Sequence, residues 1–331
     1  MGISVVHYQL NENAARLWGV LRGEDIFPLT LPVDDHRQLM QVFFQQRSQF
    51  DAAIGRDPVA LSAVSLRAPL STDIQIFCQG LNYADHRLEG GLDAGSELAE
   101  NLVFMKAASS ICGPHDAIVK PPGCQLLDYE IELGLVMRAD LDQPMVIAEA
   151  DLGQWVGALV LANDVSARDF MFGAPAMQWF KGKSQRTFCP LGPVLYLLED
   201  GDLDKLYELE LVLKLNGIVK QQATTDLLIH KPAKTLAEIS TYADLRSGDC
   251  LLTGTPGGVL MGVNFKTAMA IVLNMRNDEK RRQKFIAAQL ARTPFLEAGD
   301  VLELEIKSMD GSIDLGCQRS EIVQQLNRIK I

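Results

Sequence analysis

The chain has 331 residues, 47% hydrophobic and 22% charged, an ordinary soluble globular composition with enough material for a sizeable core. Its net charge of −11 argues against nucleic acid and against anionic membrane surfaces as partners. Six scattered cysteines without a C-x-x-C pair read as reduced and mostly buried, and no signal peptide or membrane-length apolar run appears, so the expected location is the cytoplasm.

Residues 1 to about 70 read as a small separate unit. ISVVHYQL and ARLWGVL alternate like two strands of a hairpin joined by the turn-prone NENA. DDHRQLMQVFFQQRSQFDAAIG is helical, with Leu39, Val42, Phe43 and Phe50 spaced for one apolar face. In QIFCQGLNYADHRLEGG a strand ends at Gly80, and a short helix runs to Gly90 and Gly91. His86 and Glu89 lie three apart and share a face of it, either as a general-base dyad on a movable flap or as a modest surface pair.

Loop-rich chain leads to QLLDYEIELGLVM. Alternation from Tyr129 onward is the period of a half-buried strand, with Glu130 and Glu132 on one face and Tyr129, Ile131 and Leu133 on the other. Two adjacent carboxylates repel, so the face is either solvated or holds a cation, and oxygen ligands suggest a hard one: Mg²⁺, Mn²⁺ or Ca²⁺. Ala150 to Val160 is helix or strand, delivering NDVSARD with Asp164 at the end of an apolar run, a place suited to a third metal ligand. Arg168 either pairs with Asp164 or Asp169 or meets a substrate. Lys181 and Lys183 bracket Gly182 on a loop, where a lysine beside a metal would stabilise developing negative charge unless it is merely solvated. CPLGP is a rigid turn segment.

YELELVLKLNGIVKQQA alternates and breaks at Asn216-Gly217, a strong hairpin signal. KTLAEISTYADL is a helix. SGDCLLTGTPGG is a strand entering a Gly-rich turn that places Thr253 or Thr255 near a ligand; it lacks the lysine-serine step of a phosphate loop. A charged helix spans about 266–292, and two strands close the chain. The pattern is α+β, mainly β.

GLNYADHRLE, LLDYEIELGLV, ANDVSARD and SGDCLLTGTPGG, in this order and spacing, resemble the fumarylacetoacetate hydrolase family over roughly residues 75–325, as do FMKAASS, GKSQRTFCPLGP and LNGIVKQ. The resemblance implies a mixed β-roll over residues 71–331 behind a small N-terminal α+β domain of residues 1–70. It implies a homodimer with a divalent metal at the mouth of the roll, held by Glu130, Glu132 and Asp164. It further implies His86 and Glu89 as the lid dyad, Lys183 as the site lysine, and Arg168 and Thr255 beside a small anionic 2-oxo acid substrate. The helix near 266–292 departs from the family pattern and lies where it could narrow the pocket or alter dimer packing.

The activity so implied is hydrolysis of a carbon–carbon bond in an acidic β-diketone, such as an acylpyruvate, with His86 deprotonating water and the metal acting as Lewis acid. Decarboxylation, hydration or isomerisation of 2-oxo acids through an enolate uses the same groups, and a non-catalytic metal-binding protein is the rival of another class.

Overall fold

A computed structural model of the chain describes residues 1–91, 100–173, 177–262 and 277–325. The alternating Ile3–Gln9 segment pairs antiparallel with Leu17–Arg22, Val5 opposite Val20, so the hairpin over NENA is present. On its other side Ile3 to Val6 pairs with Leu197 to Val194 of the strand Cys189–Leu197. The first 70 residues therefore share a sheet with the rest of the chain, and the expected boundary at residue 70 falls within one hydrogen-bonded layer.

That layer has 12 strands among the described residues. From Ile3–Gln9 it continues through Cys189–Leu197, Val156–Asn163, Ile131–Met137, Cys250–Leu252 and Ile76–Gly80 to an edge at Leu102–Lys106. Most pairs are antiparallel, but Cys250–Leu252 runs parallel to Ile76–Gly80, so the sheet is mixed. A second sheet of five strands runs Ile218–Thr224, Leu209–Leu215, Val301–Ser308, Asp314–Gln324, Ile118–Lys120. The fold is α+β and mainly β.

Burial follows from how the layers stack. Leu209, Leu211 and Leu213 of the second sheet pack with Leu302, Leu304 and Ile306 against Leu133, Leu135, Leu159 and Leu161 of the first. The opposite face of the first sheet, through Val136, Val160 and Leu195, is covered by Leu39, Met40 and Phe43 of the helix His36–Gln45. The strand Ile131–Met137 is thus buried on both faces, all seven residues, where alternation had suggested burial on one.

Three local expectations are corrected. The N-terminal helix is two: His36–Gln45, capped by Asp35 on the Gln38 amide at 2.9 Å, and Ser48–Ala53, with Phe43 and Phe50 meeting edge-on at 5.2 Å. CPLGP lies inside the strand Cys189–Leu197; Ala162 faces Leu191 but Val160 faces Leu195, so Pro193 sits in an irregularity rather than in the ladder. The late helix is Asp278–Leu290, capped by Asn277, while the part expected over 266–276 lies outside the described residues. Asn216 and Gly217 form the expected hairpin turn, both with positive φ (51° and 79°).

Candidate active site

Two neighbouring strands bring the acidic residues together. Ile131 pairs with Asn163, the Asn163 side chain accepts the Glu130 amide at 3.1 Å, and the Asp164 amide donates to the Glu130 carbonyl at 2.8 Å. Glu130, Glu132 and Asp164 are all buried, and one carboxylate oxygen of each lies within 4.8 Å of the others. Glu132 Oε2 accepts the Gly254 amide at 2.7 Å, while its buried Oε1 meets no donor among the described residues. Gly254 has φ +92°, and a Cβ there would come within 2.8 Å of Asn82 Cβ; this is what the T-G-T spacing provides.

Buried cations surround the carboxylates. Lys183 Nζ donates to Glu130 Oε2 at 2.7 Å and also to Asp164 Oδ2. Lys106, the last residue of the edge strand, donates to Asp164 Oδ1 and to the Phe188 carbonyl. Arg168 pairs with Asp128 Oδ2 at 2.9 Å and Glu130 Oε1 at 2.6 Å, not with Asp164 or Asp169, the two partners its local sequence offered. Asp169 pairs instead with Arg282. Lys183 ends the short helix Trp179–Lys183 rather than lying on a loop. Gly182 lets that helix approach Arg168–Phe172: a Cβ there would sit 2.0 Å from Met171 Cγ.

The charges settle unequally. Burial would raise Glu130, but Lys183 and Arg168 outweigh it and hold this carboxylate well below its usual range. Glu132 goes the other way: burial and the repulsion of Asp164 and Glu130 push it well above. Burial would lower Lys183, but Asp164 and Glu130 keep its ammonium charged. Asp128, Glu130, Glu132 and Asp164 face Lys106, Lys183 and Arg168, leaving one negative charge in excess when all are ionised. A divalent ion would reverse this to one positive charge. The all-oxygen donor set and the unpartnered Glu132 oxygen fit a hard divalent cation at this cluster.

His86 and Glu89 lie on the helix Ala84–Glu89, with His86 Nδ1 3.2 Å from Glu89 Oε2. A cavity of about 640 Å³ is lined by His86, Glu130, Arg168, Lys183 and Thr255 together. A slightly larger one, about 710 Å³, lies by Phe44, Arg138 and Tyr207 and contains none of these residues. Of the two threonines left open, Thr253 donates to the Leu133 carbonyl, and Thr255 reaches the cavity, its hydroxyl held by Gln221 Nε2 at 2.8 Å.

Three supporting residues were not read from the sequence. Asp128 continues the two-residue spacing of Glu130 and Glu132, a signal that was present. It accepts the Leu260 and Met261 amides at 2.9 and 3.1 Å besides Arg168, fixing the loop that follows TGTPGG. Gln221 ties the Ile131 amide to Thr255 and to the Pro256 carbonyl. Lys106 lies in FMKAASS, which carried the family resemblance, but no role was read for it.

Residues 75–323 match the sequence profile of the fumarylacetoacetate (FAA) hydrolase C-terminal family, and the chain belongs to that family. Among curated relatives, oxaloacetate tautomerase FAHD2A, mitochondrial, of Bos taurus is 37% identical over 198 residues. That match spans 60% of this chain and 60% of the relative. The 2,4-didehydro-3-deoxy-L-rhamnonate hydrolase of a Sphingomonas species is 33% identical over 275 residues, 82% of either chain. The solved structure of a probable 2-hydroxyhepta-2,4-diene-1,7-dioate isomerase from Mycobacterium abscessus superposes with a TM-score of 0.72 at 27% identity, covering 98% of this chain and 100% of the other. The homologues are enzymes; among the described residues no helix is long and apolar enough to cross a membrane.

Proposed function

We propose that this protein is a divalent-metal-dependent enzyme that hydrolyses a carbon–carbon bond in an acidic β-diketone of the acylpyruvate type. One observation carries the reading: three buried carboxylates converge, and one of them, Glu130, lines the same cavity as His86, which Glu89 holds. Held by Glu130, Glu132 and Asp164, an ion such as Mg²⁺, Mn²⁺ or Ca²⁺ would supply Lewis-acid polarisation of the 2-oxo acid oxygens.

The chain's own groups do the rest. A carboxylate only accepts hydrogen bonds, so Glu89 fixes the proton of His86 on Nδ1 and leaves Nε2 to take a proton from water. The hydroxide adds to the carbonyl distal to the acid. The bond between that carbon and the pyruvyl methylene then breaks, its electron pair leaving as pyruvate enolate, which takes up a proton. Lys183 adds positive charge where the enolate forms, and Thr255 offers a hydroxyl to the substrate. Arg168, engaged by Asp128 and Glu130, acts as a positioning residue that also lines the substrate cavity.

Enolisation without cleavage is the second reading. It is favoured by the relatives named as an oxaloacetate tautomerase and a probable isomerase, whose chemistry needs the same base and enolate stabilisation. Decarboxylation or hydration of 2-oxo acids would draw on the same groups. A non-catalytic metal-binding role would need neither the dyad nor Lys183. We include a homodimer in the proposal: the edge strand Leu102–Lys106 leaves Leu102 and Met105 exposed, and light scattering reads the state directly. The deciding experiment follows acylpyruvate absorbance with Mg²⁺ or Mn²⁺ and identifies products. A carboxylic acid plus pyruvate supports hydrolysis, whereas accelerated decay of oxaloacetate enol without cleavage supports the tautomerase. Glu132→Ala with full activity would remove the metal-centred reading altogether.

A further inference from the structure

The cavity lining has two chemically different parts. Glu130, Lys183 and Arg168 line it at the carboxylate cluster; His86, Thr255 and Gln79 also line it, and an apolar wall is formed by Phe104, Met171, Phe172, Trp179, Met261 and Phe285. The rings form a continuous row. Lys183 Nζ stands 5.2 Å from the Phe104 ring centre, Phe104 lies 5.0 Å from Trp179, Trp179 lies 6.3 Å from Phe172, and Phe172 lies 5.9 Å from Phe285. Phe285 comes from the helix Asp278–Leu290, the element whose role the sequence left open.

This wall is larger than a three-carbon oxo-acid head can use. Cavities of about 300–1,000 Å³ hold drug-sized ligands, and this one, at about 640 Å³, lies in that range. The basic side chains among its described lining residues are His86, Arg168 and Lys183. Arg168 and Lys183 are tied to the carboxylate cluster, and His86 lies within electrostatic reach of Glu130. A second carboxylate at the far end of a substrate would therefore be desolvated against aromatic rings with no described cation to meet it.

We infer, resting on the 2-oxo acid reading above, that the substrate is a monoacid: a 2-oxo acid head at the carboxylate cluster and an uncharged alkyl or aryl tail along the Phe104–Trp179–Phe172–Phe285 row. The rings bury the tail, each methylene adding about fourfold in affinity. Selection against dicarboxylates comes from the absence of a far-end cation among the described lining residues.

The test is calorimetric titration of the Mn²⁺-loaded full chain with pyruvate, 2-oxohexanoate, phenylpyruvate and 2-oxoadipate, none of which the hydrolytic reaction cleaves. The expected order places 2-oxohexanoate and phenylpyruvate at least tenfold tighter than pyruvate, and 2-oxoadipate at least tenfold weaker than 2-oxohexanoate. Binding of 2-oxoadipate as tight as that of 2-oxohexanoate overturns the inference while leaving the 2-oxo acid head in place. No binding by any of the four overturns the head assignment, and the tail assignment with it. Trp179→Ala and Phe172→Leu, checked for folding by circular dichroism, should each lower the 2-oxohexanoate to pyruvate affinity ratio by at least threefold. An unchanged ratio in both folded variants overturns the tail assignment on its own.

Discussion

Glu89 and Gly258 are joined by a 2.7 Å hydrogen bond from the glycine amide to Oε1, while Oε2 of the same carboxylate holds His86. One side chain thus ties the dyad helix to the loop that carries Thr255. Glu89→Gln separates these two duties. The amide oxygen can still accept from Gly258, but the amide nitrogen would donate to Nδ1, moving the imidazole proton to Nε2, where it blocks general-base action. Turnover should fall about 10²- to 10⁴-fold with the melting temperature nearly unchanged. Steady-state kinetics and a thermal melt read both, and near-normal turnover would exclude His86 as the base.

Lys183 and Glu132 should respond oppositely to neutralisation. Lys183→Met leaves Glu130 to Arg168 and Asp164 to Lys106, and breaking this buried network is expected to cost about 3–5 kcal/mol in the metal-free protein. Glu132→Gln replaces a carboxyl that burial and its neighbours disfavour in charged form, and keeps an oxygen for the Gly254 amide. Its metal-free melting temperature should equal or exceed the parent's, and Mg²⁺ should no longer raise it. Scanning fluorimetry with and without metal checks the pair; a destabilised Glu132→Gln would contradict the repulsion.

What was legible in the sequence was whatever depends on short-range period and punctuation. The Glu130 and Glu132 pair follows from two-residue alternation, Asp164 from its place at the end of an apolar run, and the hairpin from Asn216-Gly217. What was hidden depends on which strands become neighbours. Lys106 reaches Asp164 because the edge strand beside Ile76–Gly80 ends over the cluster, 58 residues away in sequence. Arg168 passes over its sequence neighbours Asp164 and Asp169 because, at the start of its helix, it meets Asp128 and Glu130 from the adjacent strand. The break after Gln45 has no glycine or proline to mark it, and Pro193 of CPLGP fits a strand because its own strand slips register there against Val156–Asn163. The aromatic cavity wall draws on four separate segments that the fold alone brings together.

Metal affinity should rise with pH. Without an ion, the Glu132 carboxyl is held well above its usual value by burial and by Asp164 and Glu130, so it keeps its proton where an exposed glutamate has lost it. An ion must displace that proton, and binding should release it to buffer. The sign for stability is the reverse of the common carboxylate case. Between the ordinary Glu value and the raised one, the folded metal-free chain binds more protons than the unfolded, so its stability falls as pH rises through that window. Calorimetry of Mn²⁺ binding in two buffers of different ionisation enthalpy counts the protons. Zero release between pH 6 and 8 would mean Glu132 is already ionised.

Gly182 gives the most stringent test of how the site lysine is placed. The helices Arg168–Phe172 and Trp179–Lys183 touch at this glycine: an added Cβ would overlap Met171 Cγ at 2.0 Å and lie 3.0 Å from the Ala167 carbonyl. The carbonyl is backbone and cannot rotate aside, so Gly182→Ala must push the Lys183 helix outward, at a cost of about 1–3 kcal/mol. The same shift draws Nζ away from Glu130 and Asp164. Because misplacement by about 1 Å can cost on the order of 10²-fold in rate, turnover should fall far more than stability. Met171→Ala in the same chain relieves the closer clash and should restore part of the activity. A Gly182→Ala variant with parental turnover would show that the close helix contact does not set the position of Lys183.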